Sequence, residues 1–390
     1  MGQTLKFGNG TWATKEGSTL AYNDENENYK PLPFNFERDS IATRVNKEGL
    51  IEVVGKDIPR IDYTDNKEGV LLLEPSRTNL ETKSNDFSTW GTNSNTTRTA
   101  DYIISPDGTL NGTRLQFTAN GYIANTLQSL ATYTVSCYAK RNDNGTQNVG
   151  FFTNGSGVVN SAWDITSEWK RFTYTFPALN GSFLGIAGVS GADISVYGFQ
   201  LEGLASYPTS YIPTSGSSVQ RASETANGSG NSEVFNDSEG VLSVNISALA
   251  QETSDRYIAI SDGTTSNRIR FGYTTPVNSV RLLVVVSSSQ VDFTRQLSDT
   301  SLYNKFAIKY KQNDFAIWAN GFEIGVDASG NTPNGLSELD FDNGGGGADF
   351  YGKTKEIGYY DTALTDAELE YITSYRSLNE LVTELNLNTL

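Results

Sequence analysis

The sequence predicts an all-β chain: two tandem antiparallel β-sandwiches after an extended N-terminal β region, closed by a short C-terminal helix. Three observations carry this. Apolar residues recur at every second position in short runs, the period of a half-buried strand. The runs are bounded by Gly, Asn, Asp, Ser and Thr, which supply turns. Helical spacing is confined to the end of the chain.

The elements follow in order. Residues 1–84 form the N-terminal region. Within it, GVLLLEPSRTNL (69–80) joins an apolar run to Pro75, which stops the strand by removing a donor. Arg77 offers a planar fork of donors, and Asn79 can bond local backbone, so the pair reads as a structural joint at a chain crossing and not as a catalytic pair. The acidic stretch Asp24-Glu25-Asn26-Glu27 reads as a solvated loop. In residues 85–214, Leu115/Phe117, Tyr133/Val135/Cys137/Ala139 and Phe172/Tyr174/Phe176 alternate with polar residues, which predicts the first sandwich. SGSSVQRASETANGSGNSE (215–233) is small, polar and aperiodic, and reads as an exposed linker.

Residues 234–375 form the second sandwich. Leu242/Val244/Ile246, Ile269/Phe271/Tyr273 and Phe306/Ile308/Tyr310 alternate again, and the continuous run RLLVVV (281–286) predicts a strand buried on both faces. Asn320-Gly321 between two apolar runs predicts a two-residue hairpin, because both positions of such a turn need positive φ. Thr365 and Glu368 form a capping box that starts a short helix. In the tail, 376–390, Leu378, Leu381 and Leu385 lie at helical spacing and suit docking on the parent domain or on a partner chain.

Composition excludes several chemistries. The 390-residue chain has no histidine and one cysteine, Cys137. Intrachain disulfides, thiolate zinc clusters and His-dependent nucleophile pairs are therefore excluded, leaving carboxylates as the acid/base groups. The formal charge of −16 opposes binding to nucleic acid. No apolar run is long enough for a membrane-spanning helix, and the N-terminus lacks a signal-peptide pattern.

FNFERDSIATRVNKEGLIEVVGKDIPRIDY (34–63) with GVLLLEPSRTNL resembles a segment of phage virion proteins of the head-spike, head-fibre and tail-associated types. WDITSEWKRFTYTF (163–176), ISVYGFQLEG (194–203) and SYPTSYIPTSG (206–216) resemble the jelly-roll carbohydrate-binding modules of such proteins. KFAIKYKQNDFAIWANGFEIG (305–325) and KTKEIGYYDTALTDAELEYI (353–372) resemble the concanavalin A-like, laminin G-like fold. The resemblance implies a non-enzymatic virion surface subunit, made in the host cytoplasm, that decorates the capsid as a head fibre. Its partners would be other virion proteins, copies of itself and host-surface glycans, with no nucleic acid and no membrane. The alternatives are a tail-fibre receptor-binding protein and a polysaccharide depolymerase.

Three candidate sites follow. Tyr122 and Trp163 are candidate stacking platforms for sugar. Asp340, Asp342, Asn343 and Asp349 could supply oxygen ligands to calcium, the one cofactor the sequence suggests. Glu338-x-Asp340-x-Asp342 places three carboxylates on one strand face, a layout similar to the Glu-x-Asp-x-Glu pattern of laminarinase-type hydrolases, with Asp in place of the last Glu.

Overall fold

The computed structural model describes residues 2–20, 28–126, 132–143, 148–155, 157–159, 163–177 and 181–387. The stretch Asp24-Glu25-Asn26-Glu27 and the last three residues of the tail lie outside them. The fold is almost entirely antiparallel β, with two short helices near the C-terminus. It divides into two units: residues 1–39, 55–75 and 223–390 form one, and residues 40–54 and 76–222 form the other.

This division corrects the boundaries read from the sequence. Residues 1–84 are not a separate region. Leu5–Gly8 and Val70–Leu73 both pair with Gly352–Tyr360. Phe7, Phe34, Phe36, Leu71 and Leu73 share one core with Ile258, Ile269 and Ile357. The physical reason is burial: each such side chain contributes about 1.5–3 kcal/mol when removed from water, and strands this short cannot bury a face alone.

The first unit packs an eight-stranded sheet and a five-stranded sheet around that core. Asn267–Thr274 shows the logic. Ile269, Phe271 and Tyr273 face the core, so Arg268 and Arg270 must face outward. Ser279–Val286 departs from the expectation of burial on both faces. Val280, Leu282 and Val284 enter the core; on the other face Leu283 is buried too, but Val285 and Arg281 are only half-buried. Asn320 and Gly321 adopt φ of 52° and 88° between Phe315–Ala319 and Phe322–Asp327, the expected hairpin. The capping box is present at helix α1 (Asp366–Thr373), whose Leu369 packs with Trp318 and Tyr360 on the outer face of the larger sheet. Helix α2 (Leu378–Glu384) buries no residue and is held by the Lys305–Glu380 and Lys355–Glu384 ion pairs.

The predicted linker is exposed at its two ends, residues 215–218 and 231–233, but its middle is paired, partly buried structure. Val219–Arg221 pairs with Arg77–Asn79, and Thr225–Asn227 pairs with Phe34–Glu37. Glu224 lies at the centre of a buried ion cluster. Its carboxylate accepts from Arg38 Nη1 at 2.7 Å, from Arg60 Nε at 2.7 Å and Nη2, and from the Glu74 backbone N–H at 2.9 Å. Arg60 Nη1 also meets Glu74 at 2.9 Å. Burial works against the Arg60 charge, yet Glu224 and Glu74 outweigh it and raise its pKa.

The second unit is built on a ten-stranded antiparallel sheet. The long strand Leu110–Thr126 pairs with Asp193–Gly203 through residues 113–116 and with Phe183–Gly188 through residues 121–126. Its core holds Leu115, Ile123, Phe151, Trp163, Phe172, Ile186 and Phe199. Cys137 is buried there, and burial pushes its thiol pKa up, so it is no nucleophile.

Candidate functional site

Phe183–Gly188 lies between Leu110–Thr126 and Val149–Thr153, with Tyr122 and Gly150 both opposite Ala187 and Phe152 opposite Gly185. Ile123, Phe151 and Ile186 point into the core, so Tyr122 and Phe152 stand on the opposite face. The residues opposite them, Ala187 and Gly185, are small. The two rings stack across the strand at 4.2 Å between centroids and 15° between planes, both half-buried. Beside the stack lies a depression of about 300 Å³, lined by Asn120, Gly121, Asn148, Ala187, Gly188 and Val189 along with the two rings. An aromatic wall beside side-chain amides suits a sugar, which offers C–H faces for stacking and hydroxyls for hydrogen bonds. The Asn120 carbonyl already accepts from Ser190 N–H at 3.1 Å, which leaves its NH₂ as the group for a ligand.

Trp163 is not part of this face. It is buried, stacked on Phe172 at 4.5 Å and 7°, with Phe151 edge-on at 4.8 Å. The candidate platform is thus a core residue. Phe152, in contrast, escaped the sequence reading. Its signal was the FF pair in VGFFT, where two adjacent aromatics on one strand must face opposite sides.

The acidic candidates lie in the first unit. Asp340 accepts from Gly228 N–H at 2.7 Å, and Asp342 accepts from Gly344 N–H at 2.6 Å and from the Asn227 amide at 3.0 Å. Burial raises the pKa of Asp340 to about 7, against the Gly228 bond and with help from Asp342 and Glu338. Burial likewise raises that of Asp342. Asp349 accepts from Tyr351 Oη at 3.0 Å. Asn343 lies beside them, with a backbone carbonyl that accepts from Arg268 Nη1 at 2.6 Å. Among the described residues, no group of three or more His, Cys, Asp or Glu side chains is placed to hold a metal ion. The second oxygen of Asp340 accepts from Ser261 Oγ at 3.4 Å.

At the joint, Asn79 is fully buried. Its amide donates to Ile212 O at 2.8 Å, and its carbonyl accepts from Leu201 N–H at 3.0 Å and Glu81 N–H at 3.1 Å. Arg77 does less than a carbonyl fork: its guanidinium lies 5.4 Å from the Tyr207 ring centroid and donates to Ser76 O at 3.2 Å. Pro75 is the last residue of its segment in the first unit.

No family model matches the chain, and no curated protein matches it. Solved structures resemble it distantly. One is the carbohydrate-binding module of a Ruminococcus gnavus sialidase bound to α2,3-sialyllactose, with 16% identity over 38% of this chain and 94% of that one, at TM-score 0.32. Another is a tandem carbohydrate-binding pair from Paenibacillus barcinonensis Xyn10C, with 10% identity over 74% and 99%, at TM-score 0.28. A third is a Trypanosoma rangeli sialidase complexed with the inhibitor DANA, with 9% identity over 93% and 66%, at TM-score 0.30. Likenesses at these scores do not decide what this chain binds.

Proposed function

We propose that this chain is a virion surface structural protein, a capsid-decorating or head-fibre subunit, that holds host-surface glycans through the Tyr122–Phe152 face. The observation that carries the binding is the stacked pair standing on the non-core side of its sheet beside the amide-rimmed depression. The virion placement is supported by the 34–80 segment and its resemblance to phage virion proteins. A single shallow site of this kind suits millimolar affinity, about −4 kcal/mol, and display of many copies converts it into avidity. The role needs no catalytic step.

Tyr122→Ala and Phe152→Ala are each expected to lower retention of the full chain on a glycan array at least tenfold while lowering its melting temperature by only about a few degrees, the cost of one lost ring pair. Unchanged retention in both variants would sink the binding face. Immunogold labelling of intact virions tests the placement. Regular label over the head is expected. Label confined to tail fibres would make the protein a receptor-binding fibre, and an unlabelled virion would remove the structural role. Polysaccharide cleavage that disappears in Glu338→Gln would replace binding by hydrolysis.

A further inference from the structure

The outer face of the eight-stranded sheet carries a cleft of about 870 Å³, and its lining residues all belong to the first unit. Strand pairing sets the floor. Asn245, on Glu239–Ala248, lies opposite Lys305 on one side and Glu356 on the other. Two residues back, Ser243 lies opposite Gly358, which is in turn opposite Lys6. Val244 and Ile246 point into the core, so Ser243 and Asn245 stand on the outer face. Gly358 keeps the floor low: a Cβ there would run into the Gln3 amide, which donates to Ser243 Oγ at 3.0 Å.

Two walls flank this floor. One is the loop from Asp65 to Glu68; the other is helical, with Tyr371 of α1 and Thr383 and Glu384 of α2. Helix α2 buries no residue, so core packing does not explain its position. It is pinned to the floor of the cleft instead. Lys305 Nζ meets Glu380 Oε1 at 2.5 Å and Ser374 O at 3.2 Å, and Lys355 Nζ meets both oxygens of Glu384 at 2.5 Å.

The lining selects a class of ligand. Five cations and five carboxylates line the cleft, so its formal charge is zero in a chain of −16. Three of them are matched on the spot, since Lys6 also stands 3.8 Å from Glu356. A charged ligand would have to compete with these pairs. Hydroxyl groups would not, because an ammonium has three donors and a carboxylate about four acceptor positions, more than one pairing uses. Tyr371 adds an apolar surface: it is 65% exposed, and the Arg376 guanidinium lies 3.6 Å from its ring centroid and steadies it.

We propose that this cleft is a second binding site, for a neutral oligosaccharide, with α2 as its wall. Its volume lies within the range of about 300–1,000 Å³ usual for ligand sites. The proposal does not rest on the Tyr122–Phe152 face.

The test uses the full chain with Tyr122→Ala and Phe152→Ala combined, which disables that face, on an array of neutral and acidic glycans. Neutral tri- and longer oligosaccharides are expected to be retained by this double variant. Tyr371→Ala removes the exposed ring, and Thr383→Trp fills the cleft from an exposed position on α2. Each, added to the double variant, is expected to lower that retention at least tenfold with an unchanged melting temperature. Retention of acidic glycans alone, no retention of any neutral oligosaccharide, or retention that survives both added variants would overturn the proposal. Glycans lost with the double variant report the aromatic face and glycans that persist report the cleft, so the two readings fail separately.

Discussion

Glu224→Gln is expected to lower the melting temperature by on the order of 10 °C, read by calorimetry on the full chain. Glu224 is the shared partner of two fully buried arginines, Arg38 and Arg60, and of the Glu74 backbone N–H. Glutamine keeps the shape but removes the charge, leaving two guanidinium groups against the single carboxylate of Glu74. Breaking a buried pair in this way costs about 3–5 kcal/mol. For a unit of this size, each kcal/mol moves the midpoint by roughly 2–4 °C. Glu239→Gln is the matched control. Its partner Lys311 is exposed to solvent, which screens the pair, so the melting temperature should hardly move. A shift of less than about 2 °C for Glu224→Gln would mean that the cluster is not what joins these segments.

Asp340→Asn is expected to stabilise the protein at pH 8 by on the order of 2–4 kcal/mol. The folded-state pKa of Asp340, about 7, lies above its ordinary value of 3.8, chiefly through burial. The folded state therefore binds more protons than the unfolded state between those two values. Stability contributed by this group is fully present below about pH 4 and is lost as pH rises to about 7. Asparagine carries no charge and still accepts from Gly228 N–H, so the variant should lose this part of the decline between pH 4 and 7. Denaturant titrations of both proteins across that range measure it. Parallel pH profiles, or a variant less stable at pH 8, would show that Asp340 ionises without cost.

Legibility differed from element to element. The hairpin at Asn320-Gly321 and the capping box at Thr365 depend on neighbours in sequence, and both stand where the pattern placed them. The pairing of region 1–84 and of the middle of 215–233 is not legible in the sequence, for related reasons. Leu5–Gly8 finds its partner in Gly352–Tyr360, some 350 residues away, and no local pattern records such a pairing. Arg221 and Glu224 are polar and so read as exposed, whereas pairing and hydrogen bonding let them be buried.

The candidate sites divide in the same way. Tyr122 was legible as an aromatic within a strand, but which face it occupied was not. Trp163 looked equivalent and proved to be core. Arg268 and Arg270 occupy the polar positions of the alternation Ile269/Phe271/Tyr273, yet both are buried. Arg268 donates to the Asn343 carbonyl, some 75 residues downstream, a contact that no local pattern records.

Sequence alone determined the all-β class, the positions of the longer strands, the turn and cap chemistry, and the exclusion of histidine, disulfide and thiolate-zinc chemistry. These depend on local periodicity and on which side chains are present. The tertiary structure alone decided which segments share a core, which charges are buried together, and which aromatics and arginines face outward. These depend on free energies of burial and pairing between residues far apart in the chain, which become definite only when the sheets are assembled.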